Sequence, residues 1–168
     1  MNKKIKNILS YIVVIVIALL IKYFIFSPIR VNGSSMYPTL VDGDIMILNE
    51  IGYYLGGLER FDIVVVNTDK DRIIKRVIGL PGETIEYKDN ILYVNGEEVK
   101  EDFEHEITHN FKLEEIGHDV IPEGYYFVVG DNRGDSLDSR KIGLISKSQI
   151  RGKTNYILLP FKRIGKVY

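Results

Sequence analysis

The 168-residue sequence has no cysteine, which removes disulfides, thiolate nucleophiles and cysteine-bound metals. It also lacks an excess of positive charge: 22 Lys and Arg against 23 Asp and Glu leave a formal net charge of -1. Nucleic acid as the main partner requires a concentrated basic surface, so that class is set aside. The 11 tyrosines, without interleaved basic clusters, do not form a base-stacking platform. Two glycine-bearing stretches, LGGLE at 55–59 and GLPGE at 79–83, lack the lysine and following helix pattern of a phosphate loop. Repeats and low-complexity tracts are missing as well. With 45% hydrophobic and 27% charged residues, the composition is that of a chain with a folded part, long enough for a membrane segment and one modest domain.

What is present begins with an apolar run from Ile5 to Phe26, interrupted by Lys6, Asn7, Ser10 and Lys22. At about 1.5 Å per residue it makes a helix of roughly 33 Å, close to the ~30 Å hydrocarbon core. Lys22 lies near enough to one end to snorkel, with Tyr23 as an interfacial ring. A cleaved leader is the rival reading, but Phe24 to Pro28 makes a poor small-x-small site. The sequence therefore predicts that residues 1–27 are a short tail and a retained single transmembrane anchor, with the span at Ile5 to Phe26. Lys3, Lys4 and Lys6 ahead of it place the short tail in the cytoplasm and residues 28–168 outside.

After Pro28 the pattern becomes short β-branched and aromatic runs separated by Gly, Asp and Asn. Predicted strands are 44–48, 62–67, 73–79, 84–88, 91–94, 125–129 and 142–145. Pro81-Gly82 reads as a type II turn and Asn95-Gly96 as a hairpin turn. The expectation is a mostly β exterior domain, with a smaller inserted region around 82–122. The acidic stretch 100–119 has no assigned structure, and the closing YILLPFKRIGKVY reads as a last strand and tail.

Three stretches carry candidate chemistry. SSMYPTL, 34–40, places Ser35 in a loop whose Met36, Tyr37 and Leu40 are too apolar for a plain linker. A serine there is, by itself, most often a turn residue. In DRIIKRVIGLPGE, 71–83, strand alternation separates Ile73, Lys75 and Val77 from Ile74, Arg76 and Ile78. One of the two cations must then face an unusually apolar side, and Lys75 is either a solvated edge residue or a desolvated amine fit to act as a base. GDNRGDSLDSR, 130–140, is either a solvated loop or a site built where the apolar run 125–129 ends, with Asp138 and Arg140 spaced to pair.

In this order, behind an apolar N-terminal run, the three stretches resemble the type I signal peptidases, membrane-anchored serine proteases that remove signal peptides from exported proteins. The resemblance implies that Ser35, directly before Met36, is the nucleophile and Lys75 the general base; Ser34 is a decoy. It implies further that Ser136 orients the lysine amine by a hydrogen bond. Asp138 and Arg140 would brace the site, with Asp131 a second structural acid. The oxyanion donor would be the Ser35 backbone N–H. Some members add a serine hydroxyl two residues earlier, where this chain has Gly33.

A lysine base working near neutrality needs a pKa of about 7 to 8 against an ordinary value of about 10.4, or roughly 4 kcal/mol against the ammonium. Carboxylates should therefore stay off that amine, with Asp131 and Asp138 bonded to Arg133 or Arg140. Met36, Ile74 and Val77 are candidate desolvating neighbours, and the run 44–48 a candidate sheet edge or pocket wall. His105, His109 and His118 have no HExxH order, so metal is not expected, nor is a cofactor. The expected setting is a bacterial cell membrane, a monomer, and signal-peptide-bearing preproteins cut after small residues (Ala-x-Ala type). Two rivals are a self-cleaving serine-lysine repressor, which should carry a helix-turn-helix domain, and a noncatalytic anchored protein that assists export.

Overall fold

The structure, a computed structural model, describes residues 3–25 and 27–167, with side chains described for 4–16 and 27–167. Helix α1 runs Lys3–Ile25. The expected membrane segment falls on it, but the side chains of 17–26 lie outside the described residues. Among the described residues no helix is long and apolar enough to cross a membrane.

The rest is mostly β, in two antiparallel sheets. The larger one contains β1 (Ser27–Arg30), β2 (Ile45–Asn49), β3 (Ile63–Asn67), β4 (Arg72–Gly79), β9 (Tyr125–Val129), β10 (Ile145–Ser146), β11 (Ile150–Leu159) and β12 (Gly165–Lys166). Its order is β1-β2-β11-β3-β4-β9-β10, with β12 on β11. The smaller sheet, β7-β6-β5-β8, is built from β5 (Ile85–Lys88), β6 (Ile91–Val94), β7 (Glu97–Val99) and β8 (Phe111–Lys112). Asn95 and Gly96 both have positive φ, the conformation a tight hairpin between β6 and β7 requires. Among the short helices are α2 (Glu50–Gly56), whose first turn is capped by the Asn49 side chain, and α3 (Ser139–Ile142).

Strand β3 shows how the sequence builds the core. Successive side chains point to opposite faces of a strand, so Ile63 and Val65 enter one apolar cluster and Val64 and Val66 another. Both faces are covered, which is why the run reads as continuously hydrophobic rather than alternating. A third cluster joins the sheets: Ile85, Tyr87 and Leu92 of the small sheet pack with Ile78, Phe127 and Val129 of the large one.

Three expectations are corrected. The run 44–48 is not a sheet edge, because β2 is paired to β1 on one side and β11 on the other; the edge is β1. The strand expected at 142–145 is mostly absent, since the Asp138 side chain caps α3 and turns the chain helical up to Ile142. The strand expected in the closing stretch begins earlier, at Ile150, lies inside the large sheet and is followed by the short β12.

Candidate active site

The site lies where β9 stops. Its pairing to β4 covers Val129 opposite Arg76 but reaches no further back along β4, so Arg72 to Lys75 have β3 as their partner on one side only. Loop 130–138 enters the space left beside Lys75, and the loop containing Ser35 closes over it. That second loop is held by Met36 and Leu40, both buried in the cluster with Met46, Leu48 and Val65. Turn bonds from Tyr37 N to Ser34 O, 2.9 Å, and from Leu40 N to Met36 O, 2.8 Å, fix its shape. The apolar residues that made SSMYPTL a poor linker are the anchors of the loop.

Lys75 Nζ donates to Ser35 Oγ at 2.7 Å and to Ile74 O at 2.9 Å. Its side chain is almost wholly buried, and burial pushes the amine's pKa down to about 8, against the opposing pull of the Asp138 and Asp131 charges. Among the described residues no carboxylate bonds this amine, because each acid is engaged elsewhere. Asp138 takes both Nε and Nη2 of Arg140, at 2.9 and 2.8 Å, and the Gly130 N–H at 3.0 Å. Burial alone pushes the Asp138 carboxyl up; Arg140, the nearby Ser136 hydroxyl and the Gly130 N–H outweigh it and hold the group below its usual range.

Asp131 differs from expectation. It pairs with Arg76, at 2.9 Å to Nε and 2.6 Å to Nη2, rather than with Arg133 or Arg140, and it accepts Thr39 Oγ1 at 2.5 Å. The guanidinium also donates to Phe61 O at 3.0 Å and lies 3.9 Å from the centroid of the Phe103 ring. Arg133 turns instead to the small sheet, meeting Glu101 at 2.7 Å, Thr108 at 2.6 Å and the Tyr87 hydroxyl at 3.1 Å. Strand alternation predicted one buried cation on β4; both Lys75 and Arg76 are buried.

Ser136 is buried in loop 130–138, but the bond expected from it to Lys75 is not made. Its hydroxyl has no hydrogen-bond partner among the described residues. It lies near enough to Asp138 to lower that carboxyl's pKa without meeting hydrogen-bond geometry. The amine donates instead to the Ile74 carbonyl, at 2.9 Å. Gly130 explains how the loops come so close: a Cβ there would stand 2.3 Å from both Ser136 Oγ and Ser35 O. Asn132, unnoticed in the sequence, donates from its backbone to Ser35 O at 3.1 Å and from Nδ2 to Ser34 O at 3.2 Å.

Beside Ser35 and Lys75 is a small cavity of about 60 Å³, walled by Met36, Ile74 and Val31 and by the Arg72 and Arg30 side chains. It adjoins a depression of about 310 Å³ that shares Arg30, Asn32, Arg72 and Ile74. A hollow of about 380 Å³ between Arg60, Phe61, Phe103 and Asn155 contains neither Ser35 nor Lys75. No group of His, Asp or Glu side chains able to hold a metal occurs among the described residues. His105 is used locally, its Nδ1 donating to Glu106 O at 2.7 Å and its Nε2 3.5 Å from Glu101.

The chain matches the family described as signal peptidase, peptidase S26, over residues 4–159. It belongs to the signal peptidase family. Signal peptidase I T of Bacillus subtilis (strain 168) is 42% identical over 167 residues, covering 92% of this chain and 85% of the relative. Signal peptidase IB of Staphylococcus aureus (strain COL) is 41% identical over 175 residues, 93% of this chain and 92% of that one. A crystal structure of a signal peptidase I from Enterococcus faecalis V583 superposes with a TM-score of 0.52 at 40% identity, covering 57% of this chain and 95% of that one. This signal peptidase is accordingly an endopeptidase that cleaves signal peptides from preproteins, and family membership implies a bacterial, membrane-associated protein.

Proposed function

We propose that the cleavage runs through an acyl-enzyme formed on Ser35, with neutral Lys75 as general base. The observation that carries this reading is the 2.7 Å contact between Lys75 Nζ and Ser35 Oγ inside a buried site. A neutral amine has two N–H bonds and one lone pair. With one N–H committed to the Ile74 carbonyl, the lone pair is free to take the Ser35 proton as Oγ attacks the scissile carbonyl. The proton then passes to the leaving amine, and the same amine activates the water that hydrolyses the acyl-serine. The Ser35 N–H receives the developing oxyanion charge, since Gly33 brings no hydroxyl. Asp138 and Arg140 brace the loop that carries Ser136, and Asp131 holds that loop to β4 through Arg76.

Substrate binding uses the unpaired side of Arg72 to Ile74, where an extended peptide can add as a strand. The cavity of about 60 Å³ beside Ser35 suits a small side chain at the cut, in line with cleavage after Ala-x-Ala. We also propose that α1 is a single transmembrane anchor with its N-terminus cytoplasmic, residues 28–168 forming an extracytoplasmic catalytic domain and 82–122 an inserted region. Support comes from the uncharged run Tyr11–Ile21 and from the exposure of Ile8, Leu9, Ile12, Val13 and Ile15. A helix apolar on all sides belongs in lipid. Enzyme and preprotein then meet on a surface rather than in a volume, which raises their effective concentration. No partner subunit or cofactor enters this scheme.

The test compares the parent chain in lipid or detergent with Ser35→Ala and Lys75→Ala on a preprotein whose signal peptide ends in Ala-x-Ala. Each substitution is expected to reduce cleavage by at least about 10³-fold; near-parent cleavage by either variant overturns the assigned roles.

A further inference from the structure

We infer that Asn132 is a positioning residue that aims the Ser35 N–H at the oxyanion. The inference rests on the reading of Ser35 as nucleophile. The amide joining Ser34 to Ser35 is trans, the cis bonds being confined to Tyr37-Pro38 and Leu159-Pro160. In a trans amide the C=O and N–H point in opposite directions, so whatever fixes the Ser34 carbonyl fixes the direction of the Ser35 N–H. That carbonyl accepts Asn132 Nδ2 at 3.2 Å and Tyr37 N at 2.9 Å. The next carbonyl, Ser35 O, accepts the Asn132 backbone N–H at 3.1 Å. One residue thus clamps the peptide planes on both sides of the nucleophile.

The opposite end of the amide is left free. Among the described residues nothing accepts the Ser35 N–H, while the carbonyl on its other face is doubly bonded. A donor held this way needs no reorganisation when negative charge develops near it. Asn132 is itself held: it is 9% exposed, and its Oδ1 accepts the Asp135 N–H at 3.1 Å. That bond settles the amide orientation, because a flipped side chain would set NH₂ against N–H. A second latch joins the same segments, the Ser34 hydroxyl donating to Asp135 Oδ2 at 2.9 Å. The adjacent serine dismissed as a decoy is therefore part of the clamp. Because Gly33 contributes no side-chain donor, the direction of one backbone N–H governs how well the charge is held.

The experiment uses the full chain in detergent, with Asn132→Asp, which keeps the shape and the acceptor but loses Nδ2, and Asn132→Ala, which adds no charge. Both keep the backbone N–H to Ser35 O. Turnover of an Ala-x-Ala precursor is measured beside binding of two probes. One is a peptide aldehyde that forms a tetrahedral adduct with the serine, the other an uncleavable peptide of the same sequence. Expected is a fall in kcat of about 10- to 100-fold, KM within about twofold, and aldehyde affinity falling with kcat while the uncleavable peptide binds as before. In Asn132→Ala the pH midpoint should not move, since Lys75 is untouched and no charge is added. Parent-level kcat in both variants, or equal weakening of the two probes with a lowered melting temperature, overturns the proposal. Failure of the nucleophile reading is separate, because Ser35→Ala would then remain active.

Discussion

Lys75 and Arg76 are neighbours on one strand, each a cation with almost no exposed surface, yet the protein treats them oppositely. Arg76 receives a carboxylate through two bonds, a hydroxyl and an aromatic face. Lys75 receives a hydroxyl and a carbonyl, both neutral. Burial disfavours either charge; only a partner of opposite sign compensates it. Arg76 is left a structural ion, and Lys75 an amine that can lose its proton. The lesson is that the distribution of carboxylates, more than depth of burial, separates the proposed base from the structural cation.

The largest way to break this contrast is Lys75→Met, which should abolish cleavage, by at least about 10⁴-fold, while making the fold more stable at pH 7. The sign follows from the lowered pKa. Below about 8 the amine is protonated in both folded and unfolded chains, and its burial costs stability. Between about 8 and 10.5 the folded form has released a proton that the unfolded form still binds, so stability rises with pH in that window. A shift from 10.5 to about 8 corresponds to about 3 kcal/mol. Denaturant melts of parent and variant should therefore converge toward pH 10, and the parent's kcat/KM should rise with pH around a midpoint near 8. A midpoint at or above 10 would erase the distinction between the two cations.

Next comes Arg76→Met, which leaves Asp131 buried without its partner and should cost about 3–5 kcal/mol. The double variant with Asp131→Leu should recover most of that loss in the same melts. No recovery would mean that the pair is not the unit inferred. Ser136→Ala should have a smaller effect, about 10-fold in kcat, since the amine already has the Ile74 carbonyl as an acceptor; a loss as large as that of Lys75→Met would assign Ser136 a direct role. Smallest is Phe103→Leu, which removes the ring over Arg76 and should lower stability by about 0.5–1 kcal/mol with little change in turnover.

Much of this was legible in the sequence because it is carried by local signals. The β-rich pattern, the turns at Pro81-Gly82 and Asn95-Gly96 and the three chemical stretches are each readable within about a dozen residues. The serine and lysine that meet at 2.7 Å were both singled out. Long-range partners were not. The Arg76–Asp131 pair spans 55 positions, and spacing does not reveal that β9 ends so as to deliver Asp131 there. Arg133 looked equally suitable and is taken by Glu101 of an irregular acidic segment. The helix α3 was hidden because its apolar Ile142 reads as strand, while the signal that decides it is the capping of its first turn by Asp138. Asn132 sat inside a stretch already marked, but a carboxamide reaching a backbone carbonyl 98 positions away leaves no pattern.

Gly130 gives the loops that carry Ser35 and Ser136 their fit. A single methyl group at that position would act as a wedge, prising the Ser136 hydroxyl and the Ser35 carbonyl apart from inside a packed joint. The tolerance of the machinery is thus narrower than one carbon atom at a position that performs no chemistry, so the emptiness of a side chain is as much a working part here as the amine it lets the serine reach.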